Sequence, residues 1–280
     1  LGCKPHDWDL LCPQAETLAR LAAQDTGAVV VRLHDDPATF RLVWSPRSPD
    51  REELDIAAFR GPTLADDLRT RDFTLNSLAW RLFPEPQELL DPCGGLADLR
   101  ARVIRANSPR VLADDPLRCL RAFRLAAELT ATVEPATLGW IADHAPGLAS
   151  VASERIGAEV FHLAAAPAFA HWLEECRRAG VLPWVLPEVC ALQGIWQGGY
   201  HHLDVWGHTL LVLQELEQAA ANPSDLFPLG ARAIRDYLAD PRAVPRLKLA
   251  ALLHDVAKPN TRTVVEGRVR FIGHETVGAD

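Results

Sequence analysis

Over its first hundred residues the chain mixes two hydrophobic periods. In KPHDWDLLCP, Trp8 and Leu10 alternate with Asp7 and Asp9, a period of two that predicts a strand over Asp7–Leu11. QAETLARLAAQ, from Gln14 to Gln24, spaces its apolar residues at helical intervals and predicts an amphipathic helix. GAVVVRLH, ATFRLVW and LDIAAFR follow as three further strands, rich in β-branched and aromatic residues. LADDLRTRDFTLNSLAWRLF reads as a helix from Leu64 to Phe83, and DPCGGLADL as a turn leading into a short helix. This order predicts a small mixed sheet flanked by helices.

From about Leu112 the pattern becomes helical throughout. DDPLRCLRAFRLAAEL, PATLGWIADHA, SERIGAEVFHLAA and HWLEECRRAG are amphipathic segments with prolines and glycines at their ends. HTLLVLQELEQAA and VPRLKLAALLHDVA continue the series beyond Tyr200, separated by a Pro-containing loop. No internal repeat or low-complexity tract interrupts it.

Composition narrows the class. At 280 residues, with 48% hydrophobic and 24% charged positions, the chain can bury a sizeable core in two or three domains. No apolar run approaches the roughly 18 residues that span a bilayer. The polar, Pro-containing start has no signal-peptide character. Cys3, Cys12, Cys93, Cys119, Cys176 and Cys190 form no C-x-x-C pair, which predicts free thiols in a reducing cytoplasm. There is no methionine, the chain starts at Leu1, and it stops at GHETVGAD, so both ends are expected to be incomplete. The net charge of −8 argues mildly against a nucleic-acid partner. Its distribution argues the other way, because Arg100, Arg102, Arg105, Arg110, Arg118, Arg121 and Arg124 form a lysine-free basic stripe. Arginine presents a planar fork suited to phosphates and base edges; a solvated helix face is the alternative reading.

Asp7 and Asp9 fall on one face of the first strand, roughly 6–7 Å apart, and repel unless water or a cation lies between them. Asp55 sits in a similar alternating context in REELDIAAFRG. Three strand carboxylates make a hard-oxygen site suited to Mg²⁺, and two such ions about 3.5–4 Å apart can clamp both oxygens of a phosphoryl displacement. TRDFTLNSLAW places Arg71 and Asp72 at a helix start, with Asn76 one turn on and on the same face as Asp72. In DPCGGLADL, Gly94 and Gly95 follow Asp91 and permit backbone conformations closed to other residues. Pro116, preceded by two acids, marks a helix start. Asp115, Arg118, Arg121 and Arg124 recur every third residue and sweep round that helix. Asp115 and Arg118 together can offer an acceptor and a forked donor to the edge of a base, or else simply pair with each other.

In this order and at this spacing, KPHDWDLL, RTRDFTLNSLAW, DPCGGLADLRARVIRA, DDPLRCLRAFRLAAEL and SERIGAEV resemble the successive motifs of the class II tRNA nucleotidyltransferase and bacterial poly(A) polymerase family. The resemblance covers roughly residues 1–165. It implies an α+β fold: a mixed α/β nucleotidyltransferase head with a polymerase-β-like sheet over residues 1–107, an all-helical neck and body over 108–195, and a partial helical region over 196–280. It further implies that Asp7 and Asp9 hold two Mg²⁺ ions and that Asp55 aligns and activates the primer hydroxyl. Arg71 and Asp72 would lie near the triphosphate and ribose, with Asn76 counted beside them. Asp115 and Arg118 would select the incoming base, with Arg121 and Arg124 supporting nucleotide binding. The implied partners are the tRNA 3′ end and CTP, with ATP as the alternative nucleotide.

The family's G-G-x-V-R-D segment has no counterpart, since the chain starts too late, and the usual doubled arginine before the aspartate is Thr70-Arg71. Between the third-carboxylate strand and the second motif, only Gly61-Pro62-Thr63 links Arg60 to Leu64. A loop this short resembles the members that add two cytidines and stop, so CC addition is the favoured expectation. The alternatives on the same scaffold are a full CCA-adding enzyme or a poly(A) polymerase.

YHHLDVWGHTLLVL and LAALLHDVAKP resemble the HD superfamily, with His208, His254 and Asp255 at the matching positions and His274 in GHE as a further ligand. Imidazole nitrogens with a carboxylate suit a transition metal better than Mg²⁺. The His201-His202 doublet reads as capping or surface. The region is either a metal phosphohydrolase or a helical scaffold beside the RNA, and the scaffold is preferred.

Overall fold

The computed structural model describes residues 8–45, 52–84, 87–199 and 202–279, and the chain divides into two compact units. One comprises Leu1–Arg71 with Asn76–Cys93; the other comprises Asp72–Leu75 with Gly94–Asp280.

The first unit is built on strands β1 (Trp8–Leu11), β2 (Val29–Asp35), β3 (Ala38–Trp44) and β4 (Glu52–Ala57), with helix α1 (Ala15–Thr26) after β1. The sheet order is β1-β4-β3-β2. β1 runs parallel to β4, and the other pairs are antiparallel. Alternation sends Phe40, Leu42 and Ile56 to one face, where they are buried with Ala15 and Ala19 of α1. The opposite face carries Asp9, Arg41 and Asp55, brought into one row by the register Asp9↔Asp55 and Arg41↔Asp55. Helix α2 (Leu64–Arg69) and the antiparallel hairpin of β5 (Ala79–Arg81) and β6 (Glu88–Leu90) complete the unit.

The second unit opens with α3 (Gly95–Ala101), β7 (Val103–Ile104), α4 (Pro109–Asp114), α5 (Leu117–Leu129), β8 (Thr132–Val133) and α6 (Pro135–His144). Next come α7 (Ser153–Ala165), α8 (Phe169–Arg178), α9 (Leu182–Val185), α10 (Pro187–Cys190) and α11 (Val205–Ala221). The described chain closes with α12 (Pro223–Leu226), α13 (Ala231–Leu238), α14 (Ala243–Leu253), α15 (Lys258–Thr261), the hairpin β9 (Thr263–Val265) and β10 (Arg268–Arg270), and α16 (His274–Val277). Phe73, Leu112, Leu120, Phe123, Leu163 and Phe169 anchor its core. Lys248 of α14 is buried in this core, donating to the Ala166 carbonyl at 2.8 Å and pairing with Glu217 of α11 at 2.8 Å. Among the described residues no helix is long and apolar enough to cross a membrane.

The α+β architecture and most strands and helices follow the sequence pattern; the segment from Leu64 to Phe83 does not. It is α2, then a 3₁₀ turn over Thr74–Asn76, then β5. α2 ends at Thr70, whose N–H and hydroxyl both turn back to the Asp67 carbonyl, at 2.9 and 2.7 Å. Beyond it, Phe73 forms a bridge with Ala106, Thr74 N–H donates to the Arg105 carbonyl, and Asn107 N–H donates to the Asp72 carbonyl. These long-range bonds satisfy backbone groups that a continuous helix would have used internally. The helical i,i+4 relation expected for Asp72 and Asn76 is therefore lost.

Gly95, by contrast, does what the paired glycines promised, through close approach: a Cβ there would stand 1.9 Å from the Thr74 carbonyl oxygen. No other residue fits.

Candidate active site

Asp9 and Asp55 face each other across the parallel β1–β4 pair, while Asp7 lies outside the described residues. Two carboxylates on neighbouring strands of one face form a hard-oxygen donor set that a divalent cation would relieve of its repulsion. Sequence reasoning did not single out Arg41, whose place opposite Asp55 is set by a register that no local motif encodes. Its Nε and Nη2 donate to the two Asp55 oxygens at 2.7 and 2.8 Å, and its Nη1 pairs with Glu53 at 2.8 Å.

The short link after β4 is fastened at both ends. Asp67, a buried carboxylate also not foreseen, accepts the Arg60 N–H at 2.9 Å and the Arg71 Nε–H at 3.5 Å. Thr63 caps α2 by accepting the Asp66 N–H at 3.2 Å and returns its hydroxyl to the Asp66 carboxylate at 2.6 Å. A Cβ on Gly61 would stand 2.8 Å from Asp66 Cβ, so the chain turns tightly here.

In the helical unit the expected run of recognition residues is rearranged. Asp115 is extended (φ −145°, ψ 95°) between α4 and α5, so it stands off the helix that carries Arg118, Arg121 and Arg124. Pro116 is the reason, since it disfavours helical geometry in the residue before it. Asp115 pairs with Arg155 of α7 at 2.8 Å rather than with the Arg118 side chain, and it accepts the Leu117 N–H at 3.3 Å. Burial works to raise its carboxyl pKa, but the Arg155 guanidinium and the Leu117 amide outweigh that and hold it below the usual range. Arg118 donates Nη1–H to the Val111 carbonyl at 2.9 Å, while its Nε is buried without a hydrogen-bond partner. A buried donor left without an acceptor is costly.

Arg121 and Arg124 converge on Glu159 of α7, at 3.0 and 2.6 Å from their Nε atoms. Arg121 also reaches Asp72 at 3.2 Å, and Arg124 reaches Glu128 at 2.8 Å. Asp72 in turn accepts the Phe73 N–H at 2.9 Å. Glu159 lies within SERIGAEV, so the motif was legible although the role of this glutamate was not. Asn76 is exposed at the end of the 3₁₀ turn.

The C-terminal helices bring His208, His254 and Asp255 together, with one ligand atom from each lying within 4.8 Å of the others. Asp255 Oδ2 lies 3.0 Å from His254 Nε2 and 3.7 Å from His208 Nε2, and Oδ1 lies 3.4 Å from His274 Nε2. His254 Nδ1 is 2.7 Å from the Ala251 carbonyl, and His274 Nδ1 is 2.7 Å from the Phe271 carbonyl. A carbonyl only accepts, so both Nδ1 atoms carry the proton and both Nε2 atoms turn towards the carboxylate. Lys258 Nζ, also not foreseen, stands 2.8 Å from Asp255 Oδ2 and donates to Gln197 Oε1 at 2.6 Å. Despite these distances Oδ2 receives no well-directed hydrogen bond. Burial works to raise the Asp255 pKa, yet His254 and Lys258 bring it down to about 2. Imidazole nitrogens and a carboxylate aimed at one another are a donor set that fits a transition metal. His202 is exposed; His201 lies outside the described residues.

The fold is that of the tRNA nucleotidyltransferases. It superposes on a tRNA nucleotidyltransferase complexed with a primer tRNA and an incoming ATP analog with a TM-score of 0.68, at 23% identity, over 90% of this chain and 68% of that one. A tRNA-processing enzyme complex gives the same TM-score at 24% identity, over 91% of this chain and 63% of that one.

Residues 1–105 match the family described as the Poly A polymerase head domain, and residues 132–192 match the probable RNA and SrmB-binding site of polymerase A. The A-adding tRNA nucleotidyltransferase of Deinococcus radiodurans is 35% identical over the whole of this chain and 59% of its own length. The CC-adding tRNA nucleotidyltransferase of Thermus thermophilus is 34% identical with the same coverage. A CC-adding tRNA nucleotidyltransferase of Geobacter sulfurreducens is 41% identical over 63% of this chain and 40% of its own. The chain belongs to the class II, CCA-adding family of tRNA nucleotidyltransferases. It spans about three fifths of the length of the first two relatives.

Proposed function

We propose that the protein adds cytidines from CTP to the 3′ end of tRNA and releases pyrophosphate. The facing register of Asp9 and Asp55, within the segment that matches a polymerase head, is the observation that carries this reading. The terminal ribose hydroxyl attacks the α-phosphorus of CTP, a new phosphodiester forms, and the bond to the β,γ-diphosphate breaks. Asp9 and Asp55, with Asp7 by family resemblance, would hold two Mg²⁺ ions, which when bound neutralise charge on the triphosphate. Asp55 orients the attacking hydroxyl. In the helical unit the Arg118 guanidinium and the Asp115 carboxylate would read the base edge, while Arg121, Arg124, Glu159 and Asp72 hold that surface rigid. Catalysis is then mainly positioning and electrostatic complementarity. Contacts to the tRNA are to backbone and shape, so binding weakens with salt.

Stopping after two cytidines is supported by the short link at Gly61-Pro62-Thr63, clamped by Asp66 and Asp67. An A-adding relative and a CC-adding relative match the chain over the same extent, so the deciding test uses both nucleotides. Labelled tRNA lacking its CCA end should gain two residues with CTP alone and nothing further when ATP is added. Appearance of a terminal adenosine would overturn the CC-only assignment, and absence of any incorporation would overturn nucleotidyl transfer itself.

The converging Nε2 atoms at Asp255 favour a second reading of the C-terminal helices, as a transition-metal phosphohydrolase centre. Here the expected result is stoichiometric manganese, nickel or zinc in the purified protein, lost in Asp255→Asn together with hydrolysis of bis-p-nitrophenyl phosphate. Metal analysis showing none, with CTP addition intact in the variant, assigns the helices to scaffolding.

A further inference from the structure

Asp55 stands in a row of three. Asp9 is directly opposite it on β1 and Arg41 directly opposite it on β3. The Arg41 fork engages both Asp55 oxygens, at 2.7 Å from Nε and 2.8 Å from Nη2. Its remaining nitrogen is tied to Glu53 at 2.8 Å, and Glu53, two residues before Asp55 on β4, lies on the same face. The guanidinium is thereby gripped from two sides by one strand. Because the fork is planar and stays protonated, such a pair fixes the plane of a carboxylate as well as balancing its charge. Both contacts lie on a half-buried sheet face, where solvent screens them less than at an exposed edge.

We propose that Arg41 is a positioning residue for nucleotidyl transfer, holding the Asp55 carboxylate in its working orientation beside Asp9, with Glu53 as the brace. The proposal rests on the reading of Asp55 as the third carboxylate of the site. With Arg41 removed, Asp55 keeps its repulsion from Asp9 and loses the partner that turns it to a fixed angle. A carboxylate that orients an attacking hydroxyl then samples unproductive positions, which costs rate in the chemical step without weakening nucleotide binding.

The test measures steady-state CTP incorporation into tRNA lacking its end, in the protein carrying R41Q, R41K, R41A, E53Q or D55A. In R41Q kcat should fall by about 10- to 100-fold, the range for groups that orient a ligand at one remove. KM for CTP should stay within about twofold, the signature of an interaction felt only in the transition state. R41K should recover part of the loss, because an ammonium supplies the charge but not the fork. E53Q should shift kcat in the same direction by less. R41A should gain activity from added guanidinium and none from an equal concentration of sodium chloride.

Unchanged kcat in R41Q beside an inactive D55A would overturn the role of Arg41 and leave the nucleotidyltransferase reading standing. So would a raised KM at constant kcat. An active D55A would overturn both. Should R41Q fail to fold, unchanged kcat in both R41K and E53Q overturns the proposal.

Discussion

Asp55→Asn and Asp9→Asn are each expected to reduce cytidine addition by about a thousandfold or more, while leaving the fold and tRNA binding in place. The two carboxylates meet across adjacent parallel strands, on the face opposite the one buried under α1. Neither is part of the core that Phe40, Leu42 and Ile56 make on the other side. Replacing Asp9 with the isosteric amide removes one of two facing like charges, so the sheet should melt at an unchanged temperature or a slightly higher one. Asp55→Asn also breaks the two-pronged contact with Arg41, so its melt should fall modestly while the fold is kept. On the proposed mechanism the rate, in contrast, depends on those charges, since gathering divalent cations beside a triphosphate would need anionic oxygen and an amide is a far poorer donor. Single-turnover incorporation from CTP, read beside a thermal melt and a tRNA gel shift, separates the two effects. A variant that keeps near wild-type turnover would remove the acidic row from the mechanism.

Lys248→Ala should destabilise the helical unit by about 3–5 kcal/mol, the usual consequence of breaking a buried ion pair. The ammonium is almost wholly enclosed, donates to the Ala166 carbonyl at 2.8 Å and meets Glu217 at 2.8 Å. Glu217 also accepts the Phe169 N–H at 3.0 Å, so one residue pair ties the start of α8 to α11 and α14. Truncation leaves a carboxylate and a carbonyl without their cation and opens a cavity. Lys248→Met combined with Glu217→Gln should recover most of the loss, because the amide still accepts from Phe169 and no unpaired charge remains. Urea denaturation of the single and double variants measures both numbers. A loss below about 1 kcal/mol in Lys248→Ala would mean that solvent already reaches the pair.

What the sequence determined by itself lies where local pattern and final environment agree. The alternation in ATFRLVW is strand β3 residue for residue, and the helical spacing in SERIGAEVFHLAA is α7 from Ser153 to Ala165. Of the candidate sites, the acids in apolar strands and the histidine-aspartate pair at a helix end could be singled out from the sequence, whereas Arg41, Asp67 and Lys258 could not. Tertiary structure decided the partnerships. Arg41 reaches Asp55 only because antiparallel register sets them opposite, and a one-residue slip would have turned it into the core. Asp115 left the helix of its supposed partner for Arg155, and residues 72–74 left a predicted helix for backbone bonds to Arg105, Ala106 and Asn107. In each case a contact distant in sequence satisfied a polar group more completely than the local alternative, and local spacing carries no record of which distant group will arrive.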